Sequence, residues 1–269
     1  VTIKRIDAGK GHHYIDTETG IRIPGATTIL GDGVPKPALI NWSATATAEY
    51  AVDHWDELTA AAPSARLKTL NGARYAVKDE AANRGTQVHT LAEHLVKGER
   101  ISVPTGLEGY VEAYVRFLDE FNVRPIEVEG LVWSEEHNYC GTFDLIAELD
   151  NPDSDDTTLW LLDIKTNRSG IFGETALQLA AYRYADHLIV DNEALPMREV
   201  ERTGAIHVRP NGCSLIPVEA EELQFRQFLY AKQVAEFVKT SRDLVGDAIR
   251  PPTTSLYQLT QVEREEVLF

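Results

Sequence analysis

Gly141-Thr-Phe-Asp-Leu-Ile-Ala147 and Leu159-Trp-Leu-Leu-Asp-Ile-Lys-Thr166 are two apolar runs of strand length, each interrupted by charge. Side chains two apart on a strand share a face, so Asp163 and Lys165 project together while Ile164 points the other way, into a core. Asp144 stands alone in its strand. A charge in the middle of such a strand is costly unless it is paired or bound to a metal. If the two strands are neighbours, Asp144 comes beside Asp163. The pair then makes a hard oxygen site of the kind that takes Mg²⁺ or Mn²⁺. A lone Asp-x-Lys triplet has a plainer reading, a buried ion pair in a sheet. The second apolar strand carrying Asp144 weighs against it.

Outward from these strands, the pattern predicts a mixed α/β fold. Glu127–Ser134, Tyr139–Leu149 and Thr158–Thr166 read as strands. Phe172–Leu188 returns to helical spacing. Thr203–Val208 and Cys213–Val218 bracket the turn Arg209-Pro-Asn-Gly212, and a long helix is expected from Glu221 to Val245. Upstream, His13–Asp16 and Ile21–Pro24 flank a Thr-Glu-Thr-Gly20 turn and predict a hairpin. A helix-rich stretch follows: Ala38–Ala62, stopped by Pro63; a second helix N-capped by Ser64 and ending near Asn83-Arg-Gly85; a third from Thr86 to Val96, closed by Gly98; a fourth from Thr105 to Phe121. The expected organisation is an N-terminal hairpin and helical lobe (1–84), a core with a mixed central sheet flanked by helices (85–250), and a tail (251–269) opened by Pro251-Pro252.

Composition narrows the chemistry. The 269 residues are 43% hydrophobic and 25% charged, as in ordinary globular proteins. The N-terminal residues contain no apolar h-region of a signal peptide. No apolar run reaches membrane-spanning length, so no membrane association is expected. Cys140 and Cys213 are the only cysteines, too few for an iron–sulfur cluster or a disulfide framework, and a reducing cytoplasmic compartment fits. The balance of 42 acidic against 26 basic residues gives a net charge of −16. A protein that holds DNA by phosphate neutralisation alone is normally basic. An acidic chain binds DNA only through a local positive groove, with metal ions supplying further charge. The acid runs Asp150–Asp156 and Glu263–Glu266 look peripheral.

The residues suit phosphodiester hydrolysis. Asp144 and Asp163 would hold the cation, with the Ile164 carbonyl as a further ligand, and Lys165 would orient the attacking water or offset charge on the phosphate. Gln178 and Tyr182 lie at i and i+4, one face of the helix after the second strand, within reach of a phosphate. On its own such a pair more often marks a polar helix face. His89 and Glu93 are also at i and i+4, where a metal or water contact competes with an ordinary surface histidine.

The ordered series His89, Glu129, Gly141-Thr-x-Asp144, Asp163-x-Lys165 and Gln178-x-x-x-Tyr182 resembles the RecB-type branch of the PD-(D/E)XK nucleases. It is similar in particular to phage-encoded relatives of CRISPR-associated and lambda-type exonucleases. Ile23-Pro-Gly-Ala-Thr-Thr-Ile-Leu30 and Lys36-Pro-Ala-Leu-Ile-Asn-Trp42 are similar to their N-terminal region. The resemblance implies a restriction-endonuclease-like sheet, His89 as a metal-site histidine and Glu129 as an acid near the metals. It also implies Gln178 and Tyr182 as DNA or active-site contacts. With two cysteines, this would be a member without an iron–sulfur cluster.

The expectation is therefore a Mg²⁺- or Mn²⁺-dependent DNA exonuclease that makes single-stranded tails for recombination. A single-strand annealing protein would be its partner, and a homo-oligomer is compatible with the reading. The alternatives are a structure-specific endonuclease on the same fold and a catalytically inactive DNA-binding or assembly protein. A cationic DNA path is expected on the N-terminal helices, from Arg74, Lys78 and Arg84, with Arg66 and Lys68 nearby.

Overall fold

The computed structural model describes residues 2–8, 11–151 and 156–250. The fold is mixed α/β, as the strand and helix patterning predicts. Strands β1 (Ile3–Ala8), β2 (Gly11–Asp16) and β3 (Arg22–Ile23) form a small antiparallel sheet. Asp16 fixes the expected turn after β2: its two carboxylate oxygens accept the Glu18 N–H and the Thr19 hydroxyl, and Gly20 takes φ +70°.

The main sheet has seven strands in the order β10-β9-β6-β5-β4-β7-β8. They are β4 (Arg124–Ser134), β5 (Tyr139–Asp150), β6 (Thr157–Lys165), β7 (His187–Val190), β8 (Glu193–Pro196), β9 (Arg202–Arg209) and β10 (Gly212–Pro217). Only the β6–β9 pair is parallel. Helices α1 (Ala26–Gly33), α6 (Glu174–Arg183) and α7 (Glu222–Thr240) cover one face. There Ile29, Leu30, Leu179 and Phe228 meet Val132, Phe143 and Leu161. The C-terminal part of α4 (Pro63–Val96) and α5 (Glu108–Glu120) cover the other. Buried Tyr110, Ala113, Tyr114 and Phe117 recur at helical spacing along α5, and the three aromatic rings pack in one core cluster with Leu145, Leu162 and Ile206. Cover on both faces is why β5 and β6 read as near-continuous apolar runs rather than alternating ones.

Four sequence expectations are corrected. The helix expected over Ala38–Ala62 is two, α2 (Pro37–Asp53) and α3 (Trp55–Ala60). His54 leaves helical geometry between them, stacks on Tyr50 and bonds its carbonyl through Nδ1. The helices expected on either side of Gly85 are one, the 34-residue α4, with Pro63 at its first turn rather than Ser64 at its N-cap. Gly85 is there for close packing, since a Cβ would lie 3.3 Å from Thr166 Oγ1, just past the end of β6. The expected 84/85 boundary thus falls inside a helix that lobe and core share. The helix expected over Phe172–Leu188 stops at Arg183, and β7 and β8 follow as a hairpin. Its two-residue turn, Asp191-Asn192, has both residues at positive φ (52° and 66°), and this Asp-Asn pair was the readable signal. Lastly, α7 ends at Thr240 and continues to Leu244 as a 3₁₀ turn. Strand β1 and helix α1 were not anticipated. The Gly98 closure holds: it takes φ +74°, and Glu99 N–H bonds the His94 carbonyl. The tail at 251–269, with its acid run, and residues 152–155 lie outside the described residues.

The contact between α1 and α7 supports one face of the site and depends on Gly33. A Cβ there would lie 2.0 Å from the Ala231 carbonyl oxygen, against backbone that cannot swing aside. Gly33→Ala is expected to cost about 1–3 kcal/mol. Gly31→Ala, on the same helix with open space at its Cβ, is expected to gain up to about 1 kcal/mol. Urea midpoints of the two variants check this, and equal shifts would contradict it.

Candidate functional site

The site opens where β5 and β6 part. Their ladder runs from Asp150↔Thr157 to Leu145↔Leu162 and stops one residue short of Asp144 and Asp163. Beyond it, the Ile164 N–H donates to Asp144 Oδ2 at 2.5 Å. Strand β6 continues alone against β9, pairing Asp163 with Ala205 and Lys165 with His207. Two carboxylates therefore sit side by side at the mouth of a fork between strands, as the spacing of the two runs predicts.

On α6, Gln178 is the hub that joins them. Its amide nitrogen donates to Asp163 Oδ1 at 2.6 Å and to the Tyr182 hydroxyl at 3.0 Å, while its oxygen accepts from Lys165 Nζ at 3.1 Å. Lys165 Nζ also lies 2.6 Å from Asp163 Oδ2. The i, i+4 pair read from the sequence is thus not an idle polar face. Tyr182 is fully buried, and its ring rests on Gly141, where a Cβ would stand 2.3 Å from Cε1.

The third side is built by α4 and β4. His89 Nδ1 lies 3.1 Å from Asp144 Oδ1. Glu129, flanked by the pairs Val128↔Leu145 and Gly130↔Phe143, stands opposite Asp144. It takes φ +55°, a left-handed conformation inside a strand, a strain on the order of 1–3 kcal/mol that typically marks functional sites. His89, Glu129 and Asp144 each offer one ligand atom, all within 4.8 Å of one another. This set of one nitrogen and two carboxylates fits a small hard cation such as Mg²⁺ or Mn²⁺. Asp163 is not in the trio; its oxygens face Gln178 and Lys165. Ile164 also gives the site its N–H, which bonds Asp144.

Charge in the cluster is unevenly shared. Burial pushes the Asp144 carboxyl up, but His89, the Ile164 N–H and Lys165 together hold it below the ordinary value. Burial and the neighbouring Asp144 charge push Asp163 up, against Lys165. Burial works against the His89 imidazolium, yet Asp144, and then Asp163, raise its pKa to about 9. Glu129 is raised by burial and Asp144, with Arg5 opposing. A pair of carboxylates pushed apart in this way is common at catalytic sites, and a bound cation would pull both down.

All of these side chains line one cleft of about 1160 Å³. Its walls are α4 from Asp79 to Glu93 and the β1–β2 hairpin, and its floor is β4, β5, β6 and α6. Glu93 faces the cleft but is held by Lys97 at 2.6 Å. The expected cationic path is not among the lining residues. Arg74 stacks on Tyr75 and bonds Ser43, Arg84 pairs with Glu80, and Lys78 is exposed. Arg66 caps α3 through the carbonyls of Leu58, Thr59 and Ala61. Besides Lys165 and His89, the cleft draws positive charge from Arg5, on a strand the sequence reading missed. Tyr14 and His12 were missed too, and no local signal marks them, because only the docking of the hairpin brings them in. Thr142, quoted only as part of the Gly141-Thr-x-Asp144 motif, shares the face of Asp144 two residues away.

No known family profile matches the chain, and no curated protein matches it in sequence. Among solved structures, the crystal structure of SSO0001 is similar over 73% of this chain and 70% of its own, at 14% identity and a TM-score of 0.29, too low to bear on function.

The His89–Asp144 pair makes a pH prediction for the metal-free protein. The folded value of about 9 lies above the ordinary 6.5. The pair's stabilisation is therefore complete below pH 6.5 and is lost as the pH rises through 9. By NMR, His89 is expected to titrate near 9, and Asp144→Asn to bring it to 6.5 or below. A midpoint unmoved by Asp144→Asn would contradict the pairing.

Proposed function

We propose that this chain is a Mg²⁺- or Mn²⁺-dependent deoxyribonuclease with a PD-(D/E)XK-type site of the RecB-like branch, free of an iron–sulfur cluster. The observation that carries the reading is the convergence, in one cleft, of the His89–Glu129–Asp144 trio with the Asp163–Lys165–Gln178–Tyr182 network. The electrostatics support it. A cleft with this many acids repels a phosphodiester, so a negatively charged substrate needs cations at the acids before it can enter.

His89, Glu129 and Asp144 would hold the cation, with Asp163 on the neighbouring strand bound to Gln178 and Lys165. A cation held there would polarise the scissile phosphate and would favour attack by water at neutral pH. Lys165 stays charged beside Asp163 and presents an ammonium at the mouth of the fork. There it orients the attacking water and offsets charge that develops on the phosphate. Gln178 fixes Lys165 and Asp163 relative to each other, and Tyr182 fixes Gln178. In the reaction the water oxygen bonds to phosphorus, one P–O ester bond breaks, and the leaving oxygen takes up a proton.

An exonuclease that produces single-stranded tails, working in the cytoplasm with a single-strand annealing protein and as a homo-oligomer, follows from the sequence resemblance. Among the described residues no helix is long and apolar enough to cross a membrane.

End-labelled linear duplex and closed circular DNA, each with Mg²⁺ or Mn²⁺, test the reading directly. Linear DNA is expected to be degraded and circles spared; cleaved circles would make the protein an endonuclease. Asp144→Asn or Asp163→Asn is expected to abolish cleavage with the fold retained. Lys165→Ala is expected to lower turnover by about 10²–10⁴-fold with much smaller change in Mn²⁺ affinity. Cleavage at the wild-type rate in either aspartate variant would refute the proposed chemistry.

A further inference from the structure

Arg5 is the cation of the cleft wall opposite α4. One terminal nitrogen lies 3.0 Å from Glu129 Oε2 and Nε lies 3.1 Å from Asp7 Oδ1. In the β1–β2 ladder Arg5 is paired with Tyr14 and Asp7 with His12, so all four share the face that looks into the cleft. That face is anchored without Arg5. Tyr14 is buried, its hydroxyl bonds Thr142 Oγ1 at 3.0 Å, and its ring fills the space beside Gly25. Gly25 itself bridges to Cys140 on β5. Thr142 and Asp144 lie two apart on β5. The hairpin is thus tied to the strand that carries Asp144, so its docking brings Arg5 over Glu129, where the ion pair holds the guanidinium.

Glu129 cannot serve Arg5 and a divalent cation equally. An ion on the trio would stand next to a guanidinium, and the two positive charges repel. An anion placed between them relieves that repulsion, and a guanidinium fork matches two phosphate oxygens. We propose that Arg5 is a phosphate-binding residue for the DNA strand, parked on Glu129 in the resting site and released to the backbone phosphate when the cation binds. This rests on the nuclease reading above and adds a substrate contact on the hairpin wall. It also makes cation and DNA binding mutually reinforcing, because each removes the other's unfavourable neighbour.

The test compares wild type, Arg5→Gln and Arg5→Lys in two measurements: calorimetric titration of Mn²⁺ without DNA, and steady-state cleavage of a linear duplex over a range of salt. For Arg5→Gln, Mn²⁺ is expected to bind at least as tightly as to wild type, since a competing charge is gone. KM should rise about tenfold, with a much smaller change in kcat and a salt slope shallower by about one. Arg5→Lys should recover the salt slope but only part of the KM, for want of the fork. Weaker Mn²⁺ binding by Arg5→Gln with unchanged KM would overturn the proposal and make Arg5 a positioning group for Glu129. An unchanged salt slope would overturn it as well. If wild type shows no metal-dependent cleavage, the nuclease reading itself fails; if wild type cleaves and the Arg5 variants match it, only the assignment of Arg5 fails.

Discussion

The structure turns on two carboxylates taken out of water. Asp163 is 3% exposed, and Asp144 lies beside it, in a sheet covered on both faces by helices. An isolated buried carboxylate would unfold the sheet or stay protonated. The surroundings answer most of that cost: three of the four carboxylate oxygens have a hydrogen-bond partner, and Asp163 Oδ2 has the ion pair with Lys165 alone. Asp144 takes the Ile164 N–H and faces His89; Asp163 takes the Gln178 amide and faces Lys165. Those partners come from three elements, β6, α4 and α6, so the fork between β5 and β6, helix α4 and helix α6 are held in one arrangement by the need to satisfy two acids. The same balance leaves the cluster short of positive charge, and the trio of His89, Glu129 and Asp144 is where a cation would supply it.

Small residues set how closely the supports approach. Gly141 lets the Tyr182 ring approach β5 closely, and Tyr182 in turn bonds the Gln178 amide that reaches Asp163. Gly85 lets α4 pass beside Thr166, one turn before His89. Glu129 pays in backbone strain for facing the same point as Asp144. These features lie on the elements around the fork and have no role in the distant β7–β8 edge, where the hairpin turn is made by ordinary turn residues.

The core of the site was legible because strand periodicity is local. Alternation along Asp163-Ile164-Lys165 sets which side chains share a face, and the same apolar character marks β5 as its neighbour. Gln178 and Tyr182 were legible through helical spacing, and His89 and Glu129 through the resemblance. What the sequence could not show is what tertiary docking decides. Gly85 reads as a helix end and is a packing contact. Arg74, Lys78 and Arg84 read as a cationic track near His89 in sequence, but on a continuous helix none of them reaches the cleft lining. Arg5 lies 124 residues from Glu129 and no pattern links them. Asp163 and Asp144 read as equivalent ligands, and they differ only because Lys165 and Gln178 claim one of them first.

The central claim is that His89, Glu129 and Asp144 hold a divalent cation next to the Asp163–Lys165 pair. Crystals soaked in Mn²⁺ and measured at the manganese absorption edge test it most directly. The account predicts one anomalous peak coordinated by all three side chains. No peak at the trio, with manganese bound elsewhere on this acidic protein, would contradict it.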